Sequence, residues 1–582
     1  MSITETCQNS LAQTVVTEKE PSKKSSKLVE LRSELNDVWK NNTTSIVRII
    51  LFFLLSGYSV YLGFAIKHSL SGAKPLIILT SIAAFFIIYN IIRDNFGDKI
   101  YEKVLRPPVK TISRNWKWLK FVIFPALAIG VVFFLSFSVL KEIRQLQSLS
   151  GIVAFILVIY IFSVHPDRIC WRPVLWGFGL QFAMGVFVLR WKSGYDGVKW
   201  LSDQITKFID YSNEGSTALF GDPFLILHPF VMVGLPMIIY LGAVMSILYF
   251  MGVTQIVAGK LGWLMQKTMG TTAVETLSVA ANIFLNGMDT MLMLRPYLVK
   301  LTRSEFHCLM VGNLSTVAGF AFALFVLLGA PPQHLLSAAV MSAPAAIAIA
   351  KLSFPETEES ITKTQQDVEV EKPAERNVAE AAANGAGVAG QTVAAVICNM
   401  LAFISMLGFV NASLGWIGDR VGVDGLSFQK ICSYLLFPVS LLIGIDIDDA
   451  KEVASLLGYK LFTSEILAYQ ELGDLISANK ISRRSAAIST YALCGFSGMS
   501  NLFIAVGVWN VVCPSRVTEV TKQMFRAFIN ANVACFMTAC IAGLLYNPDF
   551  TDPQTPPSVL GQLVGDLLNM IPTYKDLTNL IS

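Results

Sequence analysis

The amino-acid sequence predicts an all-α polytopic membrane protein, and its composition and hydropathy support that fold class. Of the 582 residues, 53% are hydrophobic and 15% are charged, whereas about 25% of the residues in a soluble globular protein are charged. The mean hydropathy is +0.56, and several apolar runs exceed the ~18 residues that indicate a membrane-spanning helix. The lipid bilayer is therefore the expected partner. The small net charge of +4 argues against a nucleic-acid partner.

The N-terminal part is predicted to be peripheral to the main membrane-embedded core. Residues 1–43 are polar and mostly without periodicity, which predicts a disordered cytoplasmic tail. Apolar runs in residues 44–145 predict peripheral N-terminal transmembrane helices. The basic loop at 93–118 follows the second of these runs. The positive-inside rule therefore places both that loop and the N-terminus in the cytoplasm.

The core is predicted to span residues 146–546, with a polar loop at 355–388 that divides it into two halves. Residues 194–211 space apolar side chains with a helical period. This segment is expected to form either an interfacial helix along the membrane or an extramembrane packing helix. A proline-containing C-terminal tail, residues 547–582, follows the core.

The stretch at 275–297 is apolar enough to enter a membrane, but polar residues interrupt it. Asn282, Asn286, Gly287 and Asp289 lie close together within it. An aspartate at the bilayer centre costs about 2.5–3.5 kcal/mol on insertion scales. Such a cost is tolerated where the residue faces protein or a water-filled cavity. We therefore expect a substrate or ion site at this interruption.

The second half repeats the pattern with an interrupted segment that contains Glu465. Each interrupted segment precedes a span with polar residues, which are Asn313, Ser315 and Thr316 in the first half and Ser497, Gly498, Ser500 and Asn501 in the second. Paired broken segments indicate a transport site between internal repeats, because unwound turns leave backbone groups that need a ligand, an ion or water. Asp289 and Glu465 are expected to share one pocket.

Long blocks of the sequence carry a family resemblance. They are WRPVLWGFGLQF at 171–182, LRPYL at 294–298, LSTVAG at 314–319, MSAPAAIAIAKLSFPETE at 341–358, STYALCGF at 489–496 and NVACFMTACIAGLLY at 532–546. From about Trp171 to Tyr546 the chain resembles the concentrative nucleoside transporters. The resemblance implies inverted repeats, two re-entrant hairpins and partly unwound helices. It also implies a plasma-membrane homotrimer that carries nucleosides into the cell with sodium by an elevator-type movement.

By the same resemblance, the co-transported sodium ion is held by oxygen atoms from the first hairpin and the unwound helix that follows. Hard oxygen ligands of this kind suit a small cation. The matching residues are Asn282, Leu285, Ser315, Thr316 and Val317.

The substrate site implied by the resemblance departs from the family at the hairpin tip. The family tip reads Gly-Gln-Thr-Glu-Ser-Pro, whereas residues 286–291 read Asn-Gly-Met-Asp-Thr-Met. The glutamine that meets the base is thus replaced by glycine, and the acid is shortened by one methylene. Because a polar site rejects ligands that leave its groups unpaired, base selectivity is expected to be changed or relaxed. The candidate substrate-binding residues are Asn286, Gly287, Met288, Asp289, Glu465, Phe496, Gly498 and Asn501.

Two other functions stay open on the sequence alone. A carrier of the same fold could be coupled to protons, with Asp289 or Glu465 as the proton-carrying group. A non-transporting receptor or scaffold could have inherited the fold, and the altered hairpin tip adds weight to this alternative. An enzyme is not expected, because no catalytic triad, metal motif or phosphate-binding loop stands out.

Overall fold

The computed structural model describes scattered positions between 52 and 88, residue 130, and residues 143–221, 230–285, 287–317, 319–362, 375–423 and 425–548. The chain divides into two units, Met1–Ile129 and Gly130–Ser582. In the first unit the described positions are almost all helical. The predicted tail 1–43, the predicted basic loop 93–118 and residues 549–582 lie outside the described residues.

The described part of the second unit is mainly helical. Its first half contains α1 (Ile143–Ile161), α2 (Trp171–Leu189), α3 (Lys192–Asp210), α4 (Ser212–Phe220), α5 (Leu235–Phe250), α6 (Val253–Met269), α7 (Ala273–Ala281), α8 (Gly287–Met293), α9 (Arg295–Leu298), α10 (Arg303–Ser315), α11 (Gly319–Leu327) and α12 (Pro332–Ser353). Its second half contains α13 (Val378–Arg420), α14 (Phe428–Leu435), α15 (Phe437–Leu442), α16 (Ala450–Phe462), α17 (Glu465–Ser477), α18 (Arg483–Leu493), α19 (Met499–Val512) and α20 (Val517–Leu545). Helix α3 confirms that the segment 194–211 is helical. Tyr195, Ser202 and Ile209 are buried at helical spacing along one face. The apolar side chains of Trp200, Leu201 and Phe208 are exposed.

Within the described residues, 6 helices are long and apolar enough to cross a membrane. They are Arg144–Ile161, Trp171–Leu189, Val231–Phe250, Pro332–Ser353, Val378–Arg420 and Pro514–Leu545. The predicted class is thereby confirmed. Two of these segments, Pro332–Ser353 and Pro514–Leu545, are mostly buried inside the protein, so they form the centre around which the other helices pack.

Helix α13 begins earlier than the sequence pattern predicted. The loop between the halves was expected to reach residue 388, but the helix begins at Val378. The Asn377 side chain caps it by accepting a hydrogen bond from the Glu380 backbone N–H at 2.8 Å. The prediction of this boundary was wrong because a cap, not the onset of hydrophobicity, sets where a helix starts.

Two apolar segments that could have been continuous spans are broken, one in each half. Helix α10 ends at Ser315 before α11, and helix α18 ends at Leu493 before α19. Gly495, in the second break, has a φ of 113°. A Cβ atom on Gly495 would lie 2.9 Å from the backbone oxygen of Ser315. The two breaks therefore touch, and glycine is required because of both the backbone conformation and the close approach.

Buried charges anchor the base of the first hairpin, where α7 begins. Lys351, near the end of α12, forms an ion pair with the fully buried Glu275 and lies 3.2 Å from the carboxylate of Glu356. Glu275 also accepts a hydrogen bond from the Thr272 backbone N–H at 3.1 Å. The hairpin is thus fixed at its base, while its tip reaches the first break.

A second buried lysine organises the break between α18 and α19. Lys460 is fully buried, and its Nζ donates hydrogen bonds to the backbone oxygens of Ala492 at 2.8 Å and Cys494 at 3.3 Å. These carbonyls lie where the helix ends and lack partners within the helix. A positive charge at a helix C-terminus is also favourable to the helix dipole. On the other side of the break, the Asn532 amide donates to the Ser497 backbone oxygen at 2.9 Å.

Candidate functional site

A cavity of about 230 Å³ lies where the two halves meet. The first hairpin contributes Gly287 to its lining, and the second half contributes Glu465, Phe496 and Asn501. The structure therefore brings together predicted substrate residues that are far apart in the sequence. Most of the remaining wall is apolar, and this composition is typical of small-molecule sites with a few placed polar groups.

Glu465 is the polar centre of this cavity. It is the first residue of α17 and is only 2% exposed. Its side chain accepts a hydrogen bond from the Asn501 amide at 2.7 Å, and the N-terminal end of a helix favours a negative charge. A carboxylate in this position can accept hydrogen bonds from a hydroxyl or amine group of a bound solute.

Phe496 lies in a column of aromatic rings beside Glu465. Its ring centroid is 6.4 Å from that of Phe325, which in turn stacks on Tyr469 at 4.2 Å. The Tyr469 hydroxyl donates to the Thr490 backbone oxygen at 2.9 Å. The aromatic wall is therefore held in place by a hydrogen bond near the second break.

Asp289 does not line the cavity that contains Glu465. It lines a neighbouring cavity of about 240 Å³, so the expected shared pocket of the two acids is not what the structure shows. The reason is helical phase: in α8, Gly287 and Met291 are one turn apart and face the first cavity, whereas Asp289 and Leu292 face the second. Both acids lie in the first turn of a helix, which is a position that the sequence pattern did not specify.

The remaining predicted substrate residues have different positions. Gly498 is the N-cap residue of α19, and a Cβ atom on it would lie 3.3 Å from a carboxylate oxygen of Glu465 and 2.9 Å from the Lys460 backbone oxygen. Gly498 therefore allows close packing around Glu465. Asn286 and the side chain of Met288 lie outside the described residues.

The predicted sodium residues are grouped at the first break. A Cβ atom on Gly312 would lie 3.6 Å from the Asn282 amide nitrogen, and one on Gly319 would lie 3.3 Å from the Phe284 backbone oxygen. The residues that follow α7 therefore pack against both sides of the α10–α11 break. All the predicted sodium residues in this region are buried, namely Asn282, Leu285, Ser315, Thr316 and Val317.

Within this group, Asn282 is the strongest candidate for a residue that contacts a ligand. It is 2% exposed, and neither its amide nitrogen nor its amide oxygen has a hydrogen-bond partner among the described residues. The Thr316 hydroxyl, by contrast, donates to the Gly312 backbone oxygen at 2.9 Å, which leaves its lone pairs free to accept or to bind a cation. An unpaired amide oxygen beside a broken helix is chemically suited to a small hard cation.

Four polar residues that line the first cavity were not assigned to the site from the sequence. One of them, Thr392, lies within α13. The other three are Asn313, Ser464 and Ser500. Each lies immediately before or after a break or a helix start, so proximity to an interruption is the sequence signal that could have identified them. Their orientation toward the cavity depends on the tertiary packing of the two halves.

Broken helices from two halves, a cavity between them and an amide that has no partner among the described residues are together typical of a solute transporter of the membrane. Comparisons with known proteins agree. The family descriptions "Na+ dependent nucleoside transporter N-terminus" and "C-terminus" match residues 150–223 and 334–543. The chain belongs to this Na⁺-dependent nucleoside transporter family.

Individual relatives match over most of their length. The chain is 39% identical to "Solute carrier family 28 member 3" of Eptatretus stoutii over 540 residues, 90% of this chain and 79% of the relative. It is 38% identical to "Sodium/nucleoside cotransporter 2" of Rattus norvegicus over 514 residues, 86% of this chain and 77% of the relative. The solved structure of CNTnw in an inward-facing substrate-bound state is similar with a TM-score of 0.66 and 32% identity, covering 69% of this chain and 98% of that one.

Proposed function

We propose that this chain is a sodium-coupled symporter that carries nucleosides, or a nucleoside-like polar solute, into the cell by an elevator-type movement. The observation that supports this most directly is the pairing of a cavity around Glu465 with the unpaired Asn282 amide at the touching helix breaks. The names of the relatives, which describe sodium/nucleoside cotransport, agree with it. The proposal includes the plasma membrane as location and a homotrimer as the assembly.

In this proposal Glu465 accepts hydrogen bonds from solute hydroxyl groups, and Asn501 positions its carboxylate. Sodium, as the second cargo, is held by Asn282 with Thr316 and the neighbouring backbone oxygens. Sodium couples to movement only if it binds one conformation better than the other. Sodium bound beside the hairpin tip would favour the conformation in which the tip packs against the break, because the ion would complete that packing.

Uptake of radiolabelled adenosine and uridine into cells that express the chain tests the function. We expect accumulation in sodium medium and its loss when choline replaces sodium. Accumulation that persists in choline and increases at acidic pH would instead support the proton-coupled carrier. Surface expression without uptake of any nucleoside or nucleobase would support the non-transporting receptor or scaffold.

The role of Glu465 is tested by the variant Glu465→Gln. A hydrogen bond to a charged group contributes about 1.5–3 kcal/mol, so we expect KM for nucleoside to increase about 10- to 100-fold. The matched control is Glu452→Gln, because Glu452 is exposed on α16. Equal KM values for wild type and Glu465→Gln would contradict the proposed solute contact.

A further inference from the structure

Asn313 lies in the last turn of α10, directly before the first break. Its side chain lines the same cavity as Glu465 and Asn501. Neither its amide nitrogen nor its amide oxygen has a hydrogen-bond partner among the described residues, although both atoms are shielded from solvent. A shielded polar group without a partner destabilises the folded protein, so the stability of the empty protein does not explain the presence of this amide.

The position of the Asn313 amide depends on Gly287 at the hairpin tip. A Cβ atom on Gly287 would lie 3.3 Å from the Asn313 side-chain carbonyl carbon and 3.4 Å from its oxygen. Contacts of that length are tight for a Cβ atom, so a larger residue at 287 would displace the amide. The absence of a side chain at Gly287 therefore leaves room for the Asn313 amide in its observed position.

The cavity thus has two separate polar groups set among apolar walls. One is the Glu465–Asn501 pair, whose carboxylate can accept hydroxyl hydrogens. The other is the Asn313 amide, which offers an acceptor and two donor hydrogens. An asparagine amide pairs in two places with a base edge that carries a donor next to an acceptor, as it does with adenine in DNA recognition.

We propose that Asn313 is a specificity-determining residue that reads the hydrogen-bonding edge of the nucleobase. The inference rests on the proposed function, since it assigns a base contact in the same cavity. Its ligands are nucleosides whose base presents a donor beside an acceptor. A solute that lacks this edge leaves the amide unpaired and binds less well, because a buried polar group strongly disfavours a ligand that cannot satisfy it.

The test compares adenosine with the benzimidazole riboside, which has the same ribose and a fused ring of similar shape but no nitrogen or amino group on the six-membered ring. The variant is Asn313→Leu, which keeps the shape of the side chain and removes the amide. The matched control is Asn510→Leu, because Asn510 is exposed on α19 and does not line the cavity. The measurements are KM for sodium-dependent uptake, and the melting temperature of the purified protein with and without each riboside.

We expect wild type and Asn510→Leu to prefer adenosine over the benzimidazole riboside by about 10-fold or more in KM, the equivalent of one to two hydrogen bonds. In Asn313→Leu this preference should fall to about 1–2-fold, with little change in KM for the benzimidazole riboside. The melting temperature without ligand should not fall, since the variant removes an unpaired group.

An unchanged preference in Asn313→Leu would overturn the inference and leave the proposed function standing. If Asn313→Leu melts at a lower temperature and binds both ribosides equally worse, Asn313 has a structural role and the inference also fails. Absence of nucleoside uptake by the wild type would overturn the proposed function and this inference with it.

Discussion

Asn282 combines almost complete burial with an amide that has no partner among the described residues. A polar group inside a membrane protein commonly faces a water-filled cavity or binds an ion. We predict that Asn282→Ala raises the sodium concentration needed for half-maximal uptake by about 10-fold or more, because a direct ligand to the cation is lost. The measurement is nucleoside uptake as a function of sodium concentration.

The matched control for this substitution is Asn510→Ala, which removes an exposed amide. It should leave the sodium dependence as in the wild type. If Asn282→Ala keeps the wild-type sodium curve, the assignment of sodium to the first break is incorrect.

At the residue scale, residue type was easier to predict than orientation. The unusual amides, glycines and acids stand out in an apolar sequence because each is costly in a membrane. Which of them face one cavity depends on helical phase: Gly287 and Asp289 are near neighbours in the chain, yet they line different cavities. The closeness of the Asn313 amide to Gly287 likewise depends on how α8 packs against α10.

At the scale of single elements, the second break is held by Lys460, whose ammonium group binds two carbonyls at the end of α18. We predict that Lys460→Met lowers the melting temperature and strongly reduces uptake. The substitution leaves buried carbonyls without partners, at about 1–3 kcal/mol for each, and releases the backbone beside the cavity. The measurements are thermal unfolding in detergent and uptake at saturating nucleoside.

Lys451→Met is the comparison for Lys460→Met, since Lys451 is exposed on the same helix. A surface substitution of this kind changes stability by about 0.5 kcal/mol or less. Similar melting temperatures and uptake for both lysine variants would show that the break does not depend on the buried charge.

The base of the first hairpin is an element held by charge pairing. We predict that Lys351→Met is strongly destabilising, because removing one partner from a buried ion pair costs about 3–5 kcal/mol. The double variant Lys351→Met with Glu275→Gln should recover part of the lost melting temperature, since it no longer leaves Glu275 as an unpaired charge. If the double variant is no more stable than the single one, the ion pair is not the source of the effect.

Hydropathy predicted the boundaries of the helices least well. The start of α13 is set by the Asn377 cap, within a stretch of alanine and glycine that carries little hydrophobic signal. The breaks after Ser315 and Leu493 were predictable, because glycine and polar residues accumulate there.

On the scale of the whole molecule, net movement of sodium makes transport sensitive to membrane potential. Moving one positive charge inward through 100 mV releases about 2.3 kcal/mol, which corresponds to about 40-fold in accumulation. We predict that proteoliposomes with an inside-negative potassium diffusion potential accumulate nucleoside to a higher level than vesicles without a potential, at equal sodium gradients. The measurement is the steady-state level of labelled nucleoside in both sets of vesicles.

Vesicles without a sodium gradient are the control for this experiment, and they should show no accumulation at zero potential. Identical accumulation with and without the potential would contradict the inward movement of net positive charge during transport.

Helix α13 is much longer than the bilayer is thick. Its 43 residues give a length of about 65 Å, roughly twice the 30 Å hydrocarbon core of a bilayer. It must therefore be strongly tilted or extend beyond the membrane. Its exposed apolar side chains, such as Leu401 and Phe409, offer a surface to lipid or to another copy of the chain.

Taken by itself, the sequence determined the membrane class, the repeated pattern of the two halves and the family resemblance, because burial in lipid penalises each polar residue and makes each exception visible. Only the tertiary structure decided which of these polar residues lie close together. Three features depend on how helices from distant parts of the chain pack. They are the contact of Gly495 with Ser315, the separation of Asp289 from Glu465, and the Asn313 amide without a partner among the described residues. Packing angle and helical phase are properties of the assembled helices, and hydropathy along one chain does not contain them.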